Sequence, residues 1–126
     1  MQFINFVKNR DSVKALIRKV DSITLSDGRV KLVLHVSDKI FTNQEYKISD
    51  AWVQDRSGIK IKGLWLPKNS SLLTYTSTIA KALTFYDVNS TNELLLKTVE
   101  LWPDQNNYLV LVACDLSLNF KYENST

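Results

Sequence analysis

The feature that most constrains the fold of this chain is a pair of strand-like runs joined by a short turn near its middle. Residues 46–54 form the first run, the turn is Asp55-Arg56-Ser57-Gly58, and residues 59–66 form the second run, which Pro67 ends. Alternating apolar and polar residues are typical of half-buried strands, and a turn that ends in glycine is typical of a β-hairpin. The pattern predicts a fold that is mainly β.

Three more strands are predicted on either side of this hairpin. Residues 30–36 alternate between apolar and polar side chains, and residues 93–102 and 108–115 flank a polar turn that begins at Pro103. The run over residues 109–113 is apolar on both faces, so we expect it to lie in the middle of the sheet.

Two helices are predicted. Apolar side chains recur at helical spacing in residues 11–21, and residues 70–86 carry a similar stripe. Between the first helix and the first strand, Ser26-Asp27-Gly28-Arg29 supplies a positive-φ turn. The apolar positions of the first helix are Val13, Leu16, Ile17 and Val20.

The predicted order is therefore helix, three strands, helix, two strands. Three strands, a helix and two strands is the order of the five-stranded Greek-key barrel called the OB-fold, with the helix between strands three and four. The N-terminal helix is an addition to that pattern. A general α+β sheet protein shares much of this order and is the alternative.

Length and composition indicate one intracellular domain. The 126 residues suffice for a single core, with a helical extension over residues 1–28 and a flexible tail over residues 119–126. No apolar run approaches the length of a membrane span, and the N-terminus lacks the features of a secretory signal. We therefore expect a cytoplasmic protein, or one in the host cell if the chain is viral. Cys114 lies in an apolar strand, which predicts a buried, unreactive thiol.

The strand over residues 59–66 carries a glycine that affects which side chains are exposed. Lys60 and Lys62 alternate with two isoleucines, and if the isoleucines face the core, strict alternation puts Trp65 inside and its leucine neighbours outside. An isolated strand glycine often marks a bulge. We therefore predict a bulge at Gly63 that returns the leucines to the core and places Trp65 beside the lysines.

Basic charge is concentrated in the middle of the chain. Residues 29–68 hold eight basic and four acidic side chains, a net charge of +4, whereas residues 69–126 hold three basic and six acidic ones, a net charge of −3. Such asymmetry favours an anionic partner on one face. The aromatic and basic residues that we predict to share this face are Trp52, Trp65, Trp102, Tyr108, Lys31, Arg56, Lys60 and Lys62.

Two local patterns in this region point to a family. The turn Asp55-Arg56-Ser57-Gly58 is followed by alternating apolar and basic residues that end on Leu64-Trp65. This stretch, over residues 48–65, resembles the second and third strands of archaeal single-stranded DNA-binding proteins of the replication protein A type. In that family an acidic-x-Thr-Gly turn leads to a Leu-Trp pair. Here Ser replaces Thr, and the pair is offset by one residue, which the Gly63 bulge would absorb.

The resemblance extends in outline over residues 29–115. Trp102 and Tyr108 are similar to the family's fourth-strand aromatic and the aromatic that follows it. The resemblance implies an OB-fold on which these two residues, Trp52 and Trp65 face the nucleic acid. The connection between strands three and four is longer than in the simplest members, and the N-terminal helix is not part of their pattern.

These observations predict a non-catalytic protein that binds single-stranded DNA largely independently of sequence, in replication, repair or packaging. A flat aromatic ring can stack on any base, and each stack is worth about 1–3 kcal/mol. Lysines beside the rings attract phosphates and release counterions, so binding weakens as salt rises.

Other functions stay open. RNA is an alternative ligand, and a protein-interaction or assembly module, including a homodimer, is a second class because exposed aromatics are enriched at interfaces. Catalysis is not expected, because His35 is the only histidine and no acid pair or glycine-rich phosphate loop has a recognisable spacing. We expect no metal and no cofactor, since His35 and Cys114 alone cannot form a ligand cluster.

Overall fold

The computed structural model describes residues 12–38, 45–66 and 77–116. Within these ranges the chain is mainly β, with one α-helix and a strongly curled sheet. The elements in chain order are β1 (Val13–Thr24), β2 (Val30–Asp38), β3 (Glu45–Ile48), β4 (Asp50–Asp55), β5 (Gly58–Gly63), β6 (Trp65–Leu66), α1 (Thr78–Phe85), a 3₁₀ helix (Thr91–Leu94), β7 (Thr98–Pro103) and β8 (Leu109–Val112).

The strands form one sheet with the order β3-β2-β1-β7-β8-β4-β5, and β6 pairs with β2 beside this path. Neighbouring strands are antiparallel except β4 and β8, which are parallel. β1 to β3 are three consecutive antiparallel strands, and β7 lies beside β1 on the side away from β2.

The connection between β3 and β4 forces the sheet to curl. Ser49 alone separates these strands along the chain, although five inter-strand steps separate them across the sheet. In a flat sheet five steps would span about 24 Å, because neighbouring strands lie about 4.8 Å apart. Two residue steps of extended chain span only about 7 Å. The sheet therefore bends until its two ends come together.

Leu64 joins these two ends. Its N–H donates to the carbonyl of Ser49 at 2.9 Å, and its carbonyl accepts from the N–H of Leu32 on β2 at 2.8 Å. Immediately after it, β6 pairs with β2, with Trp65 opposite Lys31. The chain therefore changes its partner at Leu64. Before this residue it pairs with β4 as β5, and after it the chain pairs with β2 as β6.

The main core fills the concave side of the sheet, which we call the inner face. Helix α1 packs there, and its N-terminus is capped by Ser77, whose Oγ accepts from the N–H of Ala80 at 3.1 Å. The core residues are Ala15, Ile17, Leu32, Leu34, Val36, Ile48, Ala51, Val53, Leu64, Ile79, Ala82, Leu83, Leu94, Val99, Leu101, Leu111 and Ala113.

Tyr86, just after α1, links the helix to two strands. Its hydroxyl donates to the carbonyl of Val112 at 2.5 Å and accepts from the N–H of Glu100 at 3.1 Å. The ladder between β7 and β8 ends with Leu101 opposite Leu111, so Glu100 and Val112 are the next pair and the hydroxyl lies between them. Burial raises the pKa of Tyr86 above its usual value.

The predicted N-terminal helix over residues 11–21 is wrong, because β1 occupies most of this range. The ladder with β2 shifts register between Ile17 and Lys19, so one residue is extra there and the alternation changes phase. Before the shift Val13 and Ile17 pack on the core, and after it Val20 does so. A strand with one bulge thus reproduces the spacing of a helical stripe.

Several other predictions are confirmed within shifted boundaries. The hairpin at residues 55–58 joins β4 to β5, and Gly58 has a φ of 118°. The turn at residues 26–29 joins β1 to β2, with a φ of 90° at Gly28. The fifth predicted strand is β8, which lies between β7 and β4 in the middle of the sheet.

The remaining differences concern the ends of elements. The run at residues 46–54 divides at Ser49, and the predicted strand at residues 93–102 begins only at Thr98, because a 3₁₀ helix precedes it. The predicted helix at residues 70–86 is described from Thr78. Residues 1–11 of the predicted N-terminal extension and the tail over residues 119–126 lie outside the described residues. No helix in the described part of the chain is long and apolar enough to cross a membrane.

Tyr86→Phe removes a hydroxyl that serves two part-buried backbone groups. We expect the free energy of unfolding to fall by about 1–3 kcal/mol, as measured by urea denaturation. Tyr108→Phe is the matched control, because Tyr108 is 71% exposed, and it should change stability by less than about 0.5 kcal/mol. Equal losses in the two variants would contradict the bridging role of Tyr86.

Candidate functional site

All three tryptophans lie on the convex side of the sheet, which we call the outer face. Trp52 alternates with core residues along β4, and Trp102 does so along β7. Trp65 is opposite Lys31, which alternates with core residues of β2. The prediction that the three tryptophans face away from the main core is therefore confirmed, but their rings have different surroundings on the outer face.

Trp52 and Trp102 belong to a second apolar cluster on the outer face. Trp52 is only 5% exposed, and its Nε1–H donates to the carbonyl of Trp102 at 3.3 Å. The ring of Trp52 is thus not presented to solvent, which corrects its predicted place in an open stacking face. The buried members of the cluster are Trp52, Val110, Val112, Cys114 and Leu116, with Ile59 and Trp102 packed against them.

The register of the β4–β5 hairpin places the predicted lysines on the other face. Lys60 is opposite Val53, a core residue, whereas Trp52 is opposite Ile61. Directly opposed residues of an antiparallel pair share a face. Lys60 and Lys62 therefore lie on the inner face, and the prediction that they accompany Trp52 and Trp65 is wrong. Both reach solvent because β5 is the end strand of the sheet path.

The predicted bulge at Gly63 is also wrong. The ladder between β4 and β5 runs without a register shift to Gly63, which is opposite Asp50. Alternation then continues, so Ile61 and Trp65 face outward and Leu64 faces the core. The leucine is buried as expected, but the reason is that the isoleucines, not the lysines, lie on the outer face.

The hairpin end carries two more of the predicted cations. Lys62 Nζ lies 3.0 Å from Asp55 Oδ2, and Arg56 is exposed at the turn. The Ser57 hydroxyl and the Lys62 ammonium hold the pKa of Asp55 well below its usual range. Lys60 makes no ion pair with another described residue.

Trp65 lies beside two cations on the outer face. The guanidinium carbon of Arg29 is 4.5 Å from the centroid of the indole ring, and Lys31 Nζ is 5.1 Å from it. These distances are in the range of cation–π interactions. The indole is half-buried, so part of it is open to solvent. Trp65 and Lys31 are thus two predicted site residues that the structure brings into contact, as Trp52 and Trp102 are in the second apolar cluster.

Each of these cations also contacts a carboxylate. Lys31 Nζ lies 2.8 Å from Asp50 Oδ1, and Arg29 Nε lies 2.7 Å from Asp27 Oδ2. Asp27 Oδ1 additionally accepts from the N–H of Arg29 at 3.0 Å, which shapes the turn between β1 and β2. Trp65 with these four charged residues is called the Trp65 cluster below.

Gly63 provides the space in which the Trp65 cluster packs. A Cβ at Gly63 would lie 2.6 Å from Nε1 of Trp65 and 3.0 Å from Cε of Lys31. The first distance is shorter than any van der Waals contact, and the indole is rigid. A glycine is therefore required because a ring and a lysine stem lie over its backbone, which is one of the known reasons for glycine within a strand.

Arg29, Asp27 and Asp50 were not among the predicted site residues. Arg29 follows the Asp-Gly turn, and Lys31 comes two positions later, so both cations are placed on one face of a strand that leaves the turn. That spacing was a usable signal. The partner Asp50 could not be found in this way, because it contacts Lys31 only after the sheet curls.

Tyr108 stands at a different turn, between β7 and β8. Its side chain is 71% exposed, and Asp104 Oδ1 accepts from its N–H at 3.0 Å and from that of Asn106 at 2.8 Å. The turn is thus well defined, and it holds an aromatic ring in solvent.

Comparison of the chain with protein-family models, with curated proteins and with solved structures finds no match in any of the three.

Gly63→Ala should displace the indole of Trp65 while the fold persists. In protein labelled with 5-fluorotryptophan, we expect the ¹⁹F resonance that Trp65→Phe removes to shift, and the resonance of buried Trp52 to stay in place. Lys60→Ala, on the inner face of the same strand, is the control and should shift neither. An unchanged Trp65 resonance in Gly63→Ala would contradict the packing described.

Cys114 should react slowly in the folded protein. Burial, together with the nearby Asp115, raises the pKa of its thiol to about 11, so only about one thiol in a thousand is the reactive thiolate at pH 8. We expect labelling by DTNB at pH 8 to be more than about 100-fold slower in the native state than in denaturant. Rapid native labelling would show that the second apolar cluster opens readily.

Proposed function

We propose that this protein is a non-catalytic binder of single-stranded DNA, largely independent of sequence, and that the Trp65 cluster is the centre of its binding face. The observation that carries this proposal is a partly open indole held between an arginine and a lysine on the outer face. Such a ring can stack on any base. We expect the two cations beside it to contact phosphates next to that base.

The strand connections support the interpretation of this fold as an OB-type fold. OB-folds are Greek-key barrels that bind oligonucleotides on the face of strands two and three and with the loops L12 and L45. In this chain the first two strands are joined by the turn that carries Arg29, and the last two described strands by the turn that carries Tyr108. The resemblance of residues 48–65 to replication protein A-type proteins agrees with this reading.

The outer face adds apolar surface that a base can contact. Ile23 is opposite Lys31, which is opposite Trp65, so these three side chains form one row across β1, β2 and β6. Ile23 is 51% exposed, and Ile61 is 38% exposed on the same face. The row therefore alternates apolar and cationic groups, which complement the bases and the anionic phosphates of a single strand.

The same exposed apolar side chains favour a second candidate function, a protein-interaction module or a homodimer interface. Exposed aromatic and apolar groups are what such interfaces bury. Salt distinguishes the two candidates, because a complex dominated by apolar burial tolerates salt and phosphate binding does not. RNA in place of DNA is tested by direct competition between the two oligonucleotides.

The proposal is tested with an oligothymidylate of about 15 nucleotides, within the range that one OB-fold covers, at several salt concentrations. Trp65→Ala should weaken binding by about 5- to 150-fold, the loss of one base stack. Lys31→Gln should weaken it and make the slope of log K against log salt about 0.7 less steep.

Lys60→Gln is the matched control, since it removes the same charge from a strand position on the inner face. It should change affinity and slope less than Lys31→Gln does. No saturable binding by the wild-type protein would overturn the proposal. Equal effects of the two lysine variants would show that the binding face is not centred on the Trp65 cluster.

A further inference from the structure

We propose that Asp50 limits the affinity of the Trp65 cluster for single-stranded DNA by forming an ion pair with Lys31. When a strand binds, a DNA phosphate replaces Asp50 as the partner of this lysine. This inference rests on the proposed function and concerns the regulation of that same site. It assigns Asp50 an effect opposite to that of the other residues of the cluster, because its removal should tighten binding.

The observation is that the cluster carries no net charge. Its two cations, Arg29 and Lys31, contact the carboxylates of Asp27 and Asp50 at 2.7 and 2.8 Å. A phosphate that approaches Lys31 therefore meets Asp50 on the same ammonium group, and two anions on one cation repel each other. The phosphate has to share the lysine against this repulsion or displace the carboxylate.

Asp50 can release Lys31 without loss of the fold. Its backbone is fixed in β4 opposite Gly63, while its side chain is 43% exposed and can be solvated by water. Asp27 is less free, because its second oxygen accepts from the N–H of Arg29 and shapes the turn. Asp50 is thus the carboxylate whose charge can be removed with least effect on the geometry.

The aliphatic stem of Lys31 stays in place during this exchange. Its Cε packs over Gly63 beside the indole, so only the terminal ammonium has to turn from Asp50 toward a phosphate. An ammonium group has three donors and suits such a change of partner. The ring and the cation keep their relative positions, and the bound strand replaces one anion with another.

The test is Asp50→Asn, titrated with the same oligothymidylate at low and high salt. We expect binding about 2- to 5-fold tighter than wild type at low salt, the range of an ion pair at the protein surface. The slope of log K against log salt should become more negative, by up to about 0.7, so the advantage should fade at high salt.

Glu100→Gln is the matched control. It removes one negative charge from a different strand of the sheet and breaks the ion pair between Glu100 and Lys14, which is 2.6 Å long. It should tighten binding less than Asp50→Asn does. Equal tightening by both variants would show a general effect of net charge and overturn the inference.

A double-mutant cycle shows whether Asp50 acts through Lys31. In a Lys31→Gln background, Asp50→Asn should give little further gain, because the cation that it releases is absent. A full gain in that background overturns the inference. If wild type binds and Asp50→Asn binds equally or more weakly, the inference fails and the proposed function stands. If neither binds, both fail.

Discussion

The fold depends on the two backbone hydrogen bonds of Leu64, which join the ends of the curled sheet. A sheet this strongly bent has two edges of N–H and C=O groups that need partners near the core. Leu64 supplies two of these partners, because its N–H donates to the carbonyl of Ser49, just before β4, and its carbonyl accepts from the N–H of Leu32 on β2. Its side chain, 1% exposed, fills the core directly beneath the joint.

How far the sequence predicts this fold is clearest at β1. The β class, both tight turns and the central position of β8 follow from alternation and from Asp-Gly and Ser-Gly pairs, which act locally. The secondary structure of residues 13–24 does not follow from such local patterns, because a single extra residue between Ile17 and Lys19 changes the phase of the alternation. Nothing local to the sequence distinguishes that irregular strand from a helix, since the partner strands β2 and β7 decide it.

The candidate site shows the same division. The outward direction of Trp65 could be predicted, as could the presence of Lys31 on a neighbouring strand. The pairing of Trp65 with Lys31, and not with Lys60 and Lys62, depends on the chain leaving β4 for β2 after Gly63. Local alternation in residues 59–66 does not decide whether the isoleucines or the lysines face the core. At the end strand of a sheet, isoleucines can lie outside and lysines can lie on the core side.

The burial of Trp52 has a related cause. Alternation gives the face of a side chain but not what covers that face. Cys114 and Leu116, in the segment after β8, pack with Trp52, so an outward position becomes the centre of a second apolar cluster. Trp65 has no such apolar cover in the described part of the chain, and charged side chains surround it instead. Two tryptophans on one face thus differ in role because of their neighbours.

The closure of the sheet and the geometry of the Trp65 cluster both depend on three consecutive residues, Gly63, Leu64 and Trp65. Leu64 faces inward to join β2 to β4, so alternation turns Gly63 and Trp65 outward together. The missing side chain of Gly63 leaves the space that the indole and the stem of Lys31 occupy. Lys31 is within reach only because β6 pairs with β2, and Asp50 only because β5 pairs with β4. A change that disturbs the joint at Leu64 therefore separates Trp65, Lys31 and Asp50 at the same time, which ties the geometry of the site to the stability of the fold.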